Sequence, residues 1–65
     1  MYIIELEKGV WLAPWEGDPG RTLKKENARR FRTKKEANRM LIMALLMRQF
    51  KGSRVINLEE STKAL

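Results

Sequence analysis

The chain contains no cysteine and no histidine among its 65 residues. It therefore forms no disulfide, and a zinc or haem site would lack its usual ligands. A domain of this length buries only about 60% of the surface that its unfolded chain exposes, so many such domains depend on a disulfide, a metal or a partner. The composition thus predicts no metal and no cofactor, and it favours dense helix packing or self-association.

Groups that support catalysis near neutral pH are also scarce. Histidine, the commonest general base, is missing. The acidic residues of the first twenty positions have no nucleophile motif beside them: Glu5, Glu7, Glu16 and Asp18. Residues 17–20 (GDPG) resemble the start of a phosphate loop but lack the Gly-Lys-Ser/Thr that completes it. We expect a protein that is not an enzyme and has no small-molecule substrate.

Long apolar runs and a secretory signal are absent as well. The longest apolar run, residues 40–47, is far shorter than the ~20 residues that span a bilayer. The first residues, MYIIELEKG, carry acids where a signal peptide has its apolar region. A hydrophobic content of 43% is too high for a disordered tail. The sequence predicts a soluble, cytoplasmic protein without membrane contact.

Positive charge is concentrated in one segment, residues 21–39, which we call the basic segment. It holds nine of the fourteen Lys and Arg residues against only Glu26 and Glu36, a local charge of +7 in a chain of net charge +6. Such density attracts polyanions. It favours nucleic acid or a nucleoprotein as partner; the alternatives are a solvated face that keeps the protein soluble and an acidic protein partner. The predicted nucleic-acid-binding residues, with one aromatic for base stacking, are Arg21, Lys24, Lys25, Arg29, Arg30, Arg32, Lys34, Lys35, Arg39 and Trp15.

Alternating apolar residues predict a small antiparallel sheet. Tyr2–Glu7 alternates as a strand does, a turn at residues 8–9 follows, and residues 10–13 form the partner strand of a hairpin. Residues 17–20 (GDPG) offer a proline followed by a glycine, which suit positions i+1 and i+2 of a type II turn. Residues 21–23 can form a short return strand.

A capping box predicts the only long helix. Thr33 and Glu36 have the spacing at which each side chain bonds the other's backbone amide, so the helix begins at residue 34 and extends to about residue 50. Gly52 occupies a plausible position just past its end, and residues 54–58 (RVINL) read as a last strand. The fold class is α+β: a small antiparallel sheet of about three strands, in the order β-β-α-β, packed on one helix. Residues 1–58 form the domain and residues 59–65 a flexible tail.

The helix is apolar on more than one side. At ~100° per residue one broad face covers the sheet, with Met40 and Met47 filling the core: Ala37, Met40, Leu41, Ala44, Leu45 and Met47. Four large apolar residues point largely the other way and are predicted to form a homodimer interface: Ile42, Met43, Leu46 and Phe50. The alternatives are cover by another part of the chain and an exposed groove for a partner.

The layout YII, GVWLA, GDPGRTL and NARRFRTKKEA, in that order, resembles that of many short uncharacterised proteins of phages and prophages in Gram-positive bacteria. The likeness covers most of residues 1–58. It implies a small sheet with one helix, a phage or mobile-element origin and the host cytoplasm as location. It implies no assigned biochemistry.

The chain is also weakly similar to the AP2-like arm-type DNA-binding domain of tyrosine integrases. The matching residues are Gly9, Trp11, Phe31, Thr33, Lys34, Glu36 and Ala37. In that domain a three-stranded sheet enters the major groove, which implies the same for this sheet. This chain departs from it in lacking a clear third strand before the helix and in adding RVINL after it.

We therefore expect a non-enzymatic accessory protein of a phage or mobile element that binds nucleic acid or a nucleoprotein through the basic segment. The alternative is a protein-binding inhibitor or adaptor, such as a modulator of host defence or transcription. That alternative would act through the apolar residues on the outer side of the helix.

Overall fold

A computed structural model describes residues 1–59 and confirms the α+β class. Its elements are β1 (Tyr2–Glu7), β2 (Val10–Leu12), β3 (Arg21–Thr22), a 3-10 turn (Lys25–Asn27), α1 (Lys34–Met47) and β4 (Arg54–Asn57). The sheet is antiparallel throughout, with the strand order β3-β2-β1-β4. The described residues thus form four strands rather than about three, because β3 pairs with β2 before the helix begins.

The strands bury apolar side chains on both faces of the sheet. Ile4 and Leu6 of β1 point toward the helix, while Ile3, the residue before Ile4, points to the opposite face, as the alternation of a strand requires. The helix side is the larger core, and its fully buried members are Ile4, Leu6, Leu12, Phe31, Ala37 and Ala44. The opposite face buries Ile3, Trp11 and Ala28 beneath the 3-10 turn.

The loop between β2 and β3 differs from the predicted type II turn. That turn needs a positive φ at its third residue, but within residues 1–59 only Gly9 and Gly52 have one. The Asp18–Pro19 peptide bond is cis, and the amide of Ala13 donates to the Gly20 carbonyl oxygen at 2.9 Å. Gly20 serves a close approach instead, since a Cβ there would overlap the carbonyl oxygen of Trp15.

The start of α1 agrees with the capping prediction. Thr33 has an extended backbone, and its hydroxyl oxygen accepts from the Glu36 amide at 3.2 Å. Within residues 1–59 the Glu36 carboxylate does not return a bond to Thr33, so half of the capping box is formed. The bond that is formed suffices to set the start of the helix.

The end of α1 comes three residues earlier than predicted. Arg48 is extended (φ −156°, ψ 140°), and the chain then turns so that Phe50 packs, partly buried, against the core. Had the helix continued, its ~100° rotation per residue would have put Phe50 near Leu46 on the outer side. The prediction that Phe50 belongs to the outer apolar set is therefore wrong.

Two further predictions near the helix end need correction. Gly52 has a φ of 75° in the turn before β4, but it lies five residues beyond Met47 and does not cap the helix. Met47 does not fill the core, because it is 58% exposed, whereas Met40 packs against the core as predicted. Of the predicted tail only Glu59 is described, and its carboxylate accepts from the N-terminal amine at 3.2 Å; residues 60–65 lie outside the described residues.

Candidate nucleic-acid interface

The basic segment is attached to the sheet by backbone hydrogen bonds. The Arg29 amide donates to the Leu12 carbonyl oxygen at 2.8 Å, and Phe31 and Tyr2 exchange two bonds of 2.8 Å. The first bond ties the segment to the end of β2, and the other two pair Phe31 with Tyr2 at the start of β1. The buried side chains of the segment are Ala28, Phe31 and Ala37. The cations between these anchor points are therefore held on a defined path along the surface.

Arg21 differs from the other predicted nucleic-acid-binding residues because its guanidinium is already occupied. Its Nη1 donates to the carbonyl oxygens of Asp18 at 3.1 Å and Pro19 at 3.0 Å. The side chain is half-buried and holds the loop before β3 in place. Arg21 therefore has a structural role that its position in the sequence did not reveal.

Lys25 and Arg29 lie over aromatic rings of the two cores. The Lys25 ammonium is 5.5 Å from the centre of the Trp11 ring, and the Arg29 guanidinium is 5.2 Å from that of Phe31. Both distances lie within the range of cation–π attraction. Both residues are nevertheless exposed, so they combine a packing role with an accessible charge.

Six cations of the basic segment have no partner among residues 1–59. They are Lys24, Arg30, Arg32, Lys34, Lys35 and Arg39, all of them exposed. The ion pairs within residues 1–59 join the N-terminal amine to Glu59 and Arg54 to Glu5, and neither involves the segment. The positive potential of these six groups is thus directed outward rather than neutralised within the fold.

Three of the six cations converge at the start of α1. Lys34, Lys35 and Arg39 line one shallow depression together with Asn38 and Ile42. Asn38 was not among the predicted site residues, although its spacing of four from Lys34 indicates a shared face.

Trp15 lies apart from this depression, in a groove between the β2–β3 loop and the helix. The indole is 50% exposed, and Met40 and Met47 line the same groove. Arg29 also lines the groove, whose volume is about 670 Å³. The structure therefore places the predicted stacking residue beside one predicted cation. The sequence did not indicate that Met40 and Met47 line this groove, because helical periodicity assigned both residues to the core.

The exposed apolar residues of α1 form what we call the outer helix face: Ile42, Met43 and Leu46. They are 61%, 47% and 77% exposed in the single chain. Soluble proteins expose single apolar side chains routinely, but an adjacent group is a feature of interaction surfaces. Of the four residues predicted to self-associate, the structure brings together these three and separates Phe50.

The sheet face opposite the helix is only partly open. Ile3 on this face is 1% exposed, whereas Arg54, on the same face, is 67% exposed. Trp11 on this face is buried beneath Lys25.

Within residues 1–59 no cluster of side chains has the composition of a metal site. No helix in that range is long and apolar enough to cross a bilayer. Comparison with known protein families, with curated proteins and with solved structures finds no match for this chain.

Proposed function

We propose that the protein is a non-enzymatic accessory factor, of the kind that phages and mobile elements encode, and that it binds nucleic acid or a nucleoprotein through its basic segment. The binding is electrostatic and depends on phosphates rather than on base edges. Lysine and arginine that neutralise phosphates release counterions, which makes such binding strong at low salt and weakly selective for sequence.

The observation that carries this proposal is the group of six exposed cations that have no partner in the described part of the chain, three of which line one depression. A face that served only solubility would work equally well with charges of both signs. Here nine cations stand against only two acids, Glu26 and Glu36, and two of the cations, Lys34 and Lys35, occupy the first turn of a helix, where cations oppose the helix dipole. An external polyanion compensates for that unfavourable placement.

A protein-binding adaptor is the second candidate function. The outer helix face favours it, because Leu46 is 77% exposed beside Ile42 and Met43. Nucleic-acid binding would use the basic segment, and protein binding would use the outer helix face. Substitutions confined to one of these surfaces therefore distinguish the two functions.

The test is fluorescence anisotropy with a labelled 24-bp duplex across a salt series. The variant replaces Lys34, Lys35 and Arg39 with alanine, which retains helix propensity. If all three contact phosphates, the slope of log K against log salt should flatten by up to about 2.7, at ~0.9 for each contact on B-form DNA.

The matched control removes three exposed cations outside the basic segment, Lys8, Arg48 and Lys51, and so changes net charge by the same amount. Its salt slope should stay close to that of the wild type. Equal losses in the two variants would show that net charge alone attracts the DNA. A wild type that fails to bind at low salt would exclude the proposal.

A further inference from the structure

The outer side of α1 changes character along its length. Lys35, Arg39, Ile42 and Leu46 follow one another at spacings of four, three and four residues, so they lie on one side of the helix. The first two are exposed cations and the last two exposed apolar residues. Ile42 belongs to both regions, since it also lines the depression that holds the three cations.

The apolar part is too small to hold a partner tightly by itself. Complete burial of one large apolar side chain removes roughly 60–120 Å² of apolar surface, at ~25 cal/mol per Å². With Ile42, Met43 and Leu46 about half to three-quarters exposed, an occupant covers roughly 110–220 Å² of each copy, against ~800 Å² per partner in a stable interface. Contact through this surface alone is therefore weak.

The charge layout selects how two copies can meet. A parallel pair would place the cations of both first turns side by side. In an antiparallel pair, with a two-fold axis near Met43, the apolar halves of the two helices pack against each other. The cations of the two first turns then lie at opposite ends of the pair. At 1.5 Å per residue each cationic cluster then lies about 10 Å from the axis, so the two are roughly 20–25 Å apart.

Some repulsion remains in the antiparallel pair, because each copy carries a net charge of +6. A polyanion that lies along both clusters neutralises this repulsion and also holds the two copies together. Two weak contributions then stabilise the pair together: the apolar contact between the helices and the anion that both copies bind. Since coupling between two binding events is reciprocal, the anion strengthens association and association strengthens anion binding.

We propose that the outer helix face binds a second copy of this chain in the antiparallel orientation, and that a shared polyanion drives the pairing. This inference rests on the proposed nucleic-acid binding and adds to it. It makes binding cooperative, because the second copy adds its own Lys34, Lys35 and Arg39 to the surface that contacts the polyanion.

The experiment measures binding stoichiometry and cooperativity on a 24-bp duplex by anisotropy and sedimentation velocity. The wild type should sediment as a monomer at tens of micromolar without DNA, bind as pairs, and give a Hill coefficient above 1. Leu46→Gln should bind with an unchanged salt slope but a Hill coefficient of 1. Leu23→Gln is the matched control, since Leu23 is 80% exposed and lies outside the helix; it should remain cooperative.

The orientation has its own test, because the chain has no cysteine of its own. Met43→Cys, close to the two-fold axis, should form a disulfide-linked dimer on DNA under mild oxidation. Lys35→Cys should not, because antiparallel pairing separates the two copies of that position. Efficient cross-linking through Lys35→Cys would indicate parallel pairing and overturn the assignment.

Two other outcomes also overturn the inference. One is binding by the wild type without cooperativity, or with cooperativity that Leu46→Gln retains; nucleic-acid binding would stand and the pairing would be wrong. The other is a wild type that is fully dimeric without DNA, because pairing would then not depend on binding of the polyanion. Absence of any DNA binding would instead exclude the proposed function on which the inference rests.

Discussion

The guanidinium of Arg54 donates from Nε to the Glu5 carboxylate at 2.9 Å, joining the central strand to the edge strand that follows the helix. The other oxygen of Glu5 accepts from the Gly9 amide at 3.3 Å, so one carboxylate links the hairpin turn, β1 and β4. Partial burial raises the pKa of Glu5. The bonds from Arg54 and Gly9, with the charges of Arg54 and Lys25, outweigh this effect and lower the pKa below its ordinary value of 4.5.

Stability should therefore depend on the ionisation of Glu5. Because its pKa is lower in the folded state, the stabilisation is complete above about pH 4.5 and is lost as the pH falls through the folded pKa. Glu5→Gln should cost about 1 kcal/mol or less at pH 7, since Arg54 is 67% exposed. The difference in unfolding free energy between this variant and the wild type should become smaller at acidic pH.

Urea unfolding at several pH values between 3 and 7 measures this deficit. Glu7→Gln is the control, since Glu7 lies in the same strand and is exposed. A deficit for Glu5→Gln that stays constant down to pH 3 would show that lost packing, rather than charge, causes it.

Gly20→Ala should destabilise the protein by about 1–3 kcal/mol, the usual range for overpacking. The added Cβ would overlap the Trp15 carbonyl oxygen, which is backbone and cannot rotate away. Gly52→Ala is the comparison: it meets open space and incurs only the roughly 1–2 kcal/mol of left-handed strain at φ 75°. Chemical denaturation of both variants checks the order, and Gly20→Ala should also shift the emission of Trp15. An unchanged stability for Gly20→Ala would mean that the loop does not hold this close contact.

Local signals predicted the elements, and tertiary contacts decided where they end. The Thr33 cap and the alternation of β1 depend on neighbours in sequence, so both were readable without a structure. Phe50 was misplaced because helical periodicity assumes that the helix continues, whereas burial of its ring in the core accompanies the break at Arg48. The turn at residues 17–20 was misjudged for a similar reason, since the contact between Gly20 and Trp15 is made across the loop.

For the candidate site too, the sequence predicted some features, and others depend on tertiary contacts. Charge density located the basic segment, because net charge needs no knowledge of the fold. It did not separate the occupied guanidinium of Arg21 from free cations such as Arg30, since carbonyl acceptors leave no mark in the sequence. The groove beside Trp15 was equally invisible, because the residues that line it come from the β2–β3 loop, the basic segment and the helix, which are far apart in the sequence.

Thr33→Ala should lower stability by about 1 kcal/mol, because the Glu36 amide loses its acceptor. In a domain of this size that loss corresponds to a melting temperature lower by roughly 4–8 °C. Thr33→Ser keeps the hydroxyl and should stay close to the wild type. Thermal melts followed at 222 nm make the comparison, and equal melting temperatures for the alanine and serine variants would mean that the cap contributes nothing.

Trp15→Ala should weaken binding to single-stranded DNA more than binding to duplex. The indole is 50% exposed in a groove that Arg29 also lines, so an unpaired base can stack on it while its phosphate meets the cation. Stacking on one aromatic contributes about 1–3 kcal/mol, a loss of roughly 5- to 150-fold in affinity. Duplex bases are already stacked on one another, so duplex binding should change little.

Titration with oligo(dT) and with a 24-bp duplex, followed by anisotropy and by tryptophan emission, measures both affinities. Trp15→Phe is the matched variant, since it retains an aromatic face and should keep part of the single-strand affinity. Trp11 is buried beneath Lys25, so quenching of the wild-type emission by oligo(dT) should come from Trp15 and be absent from both variants. Equal weakening on the two DNA forms, or quenching that survives in Trp15→Phe, would show that Trp15 does not stack on bases.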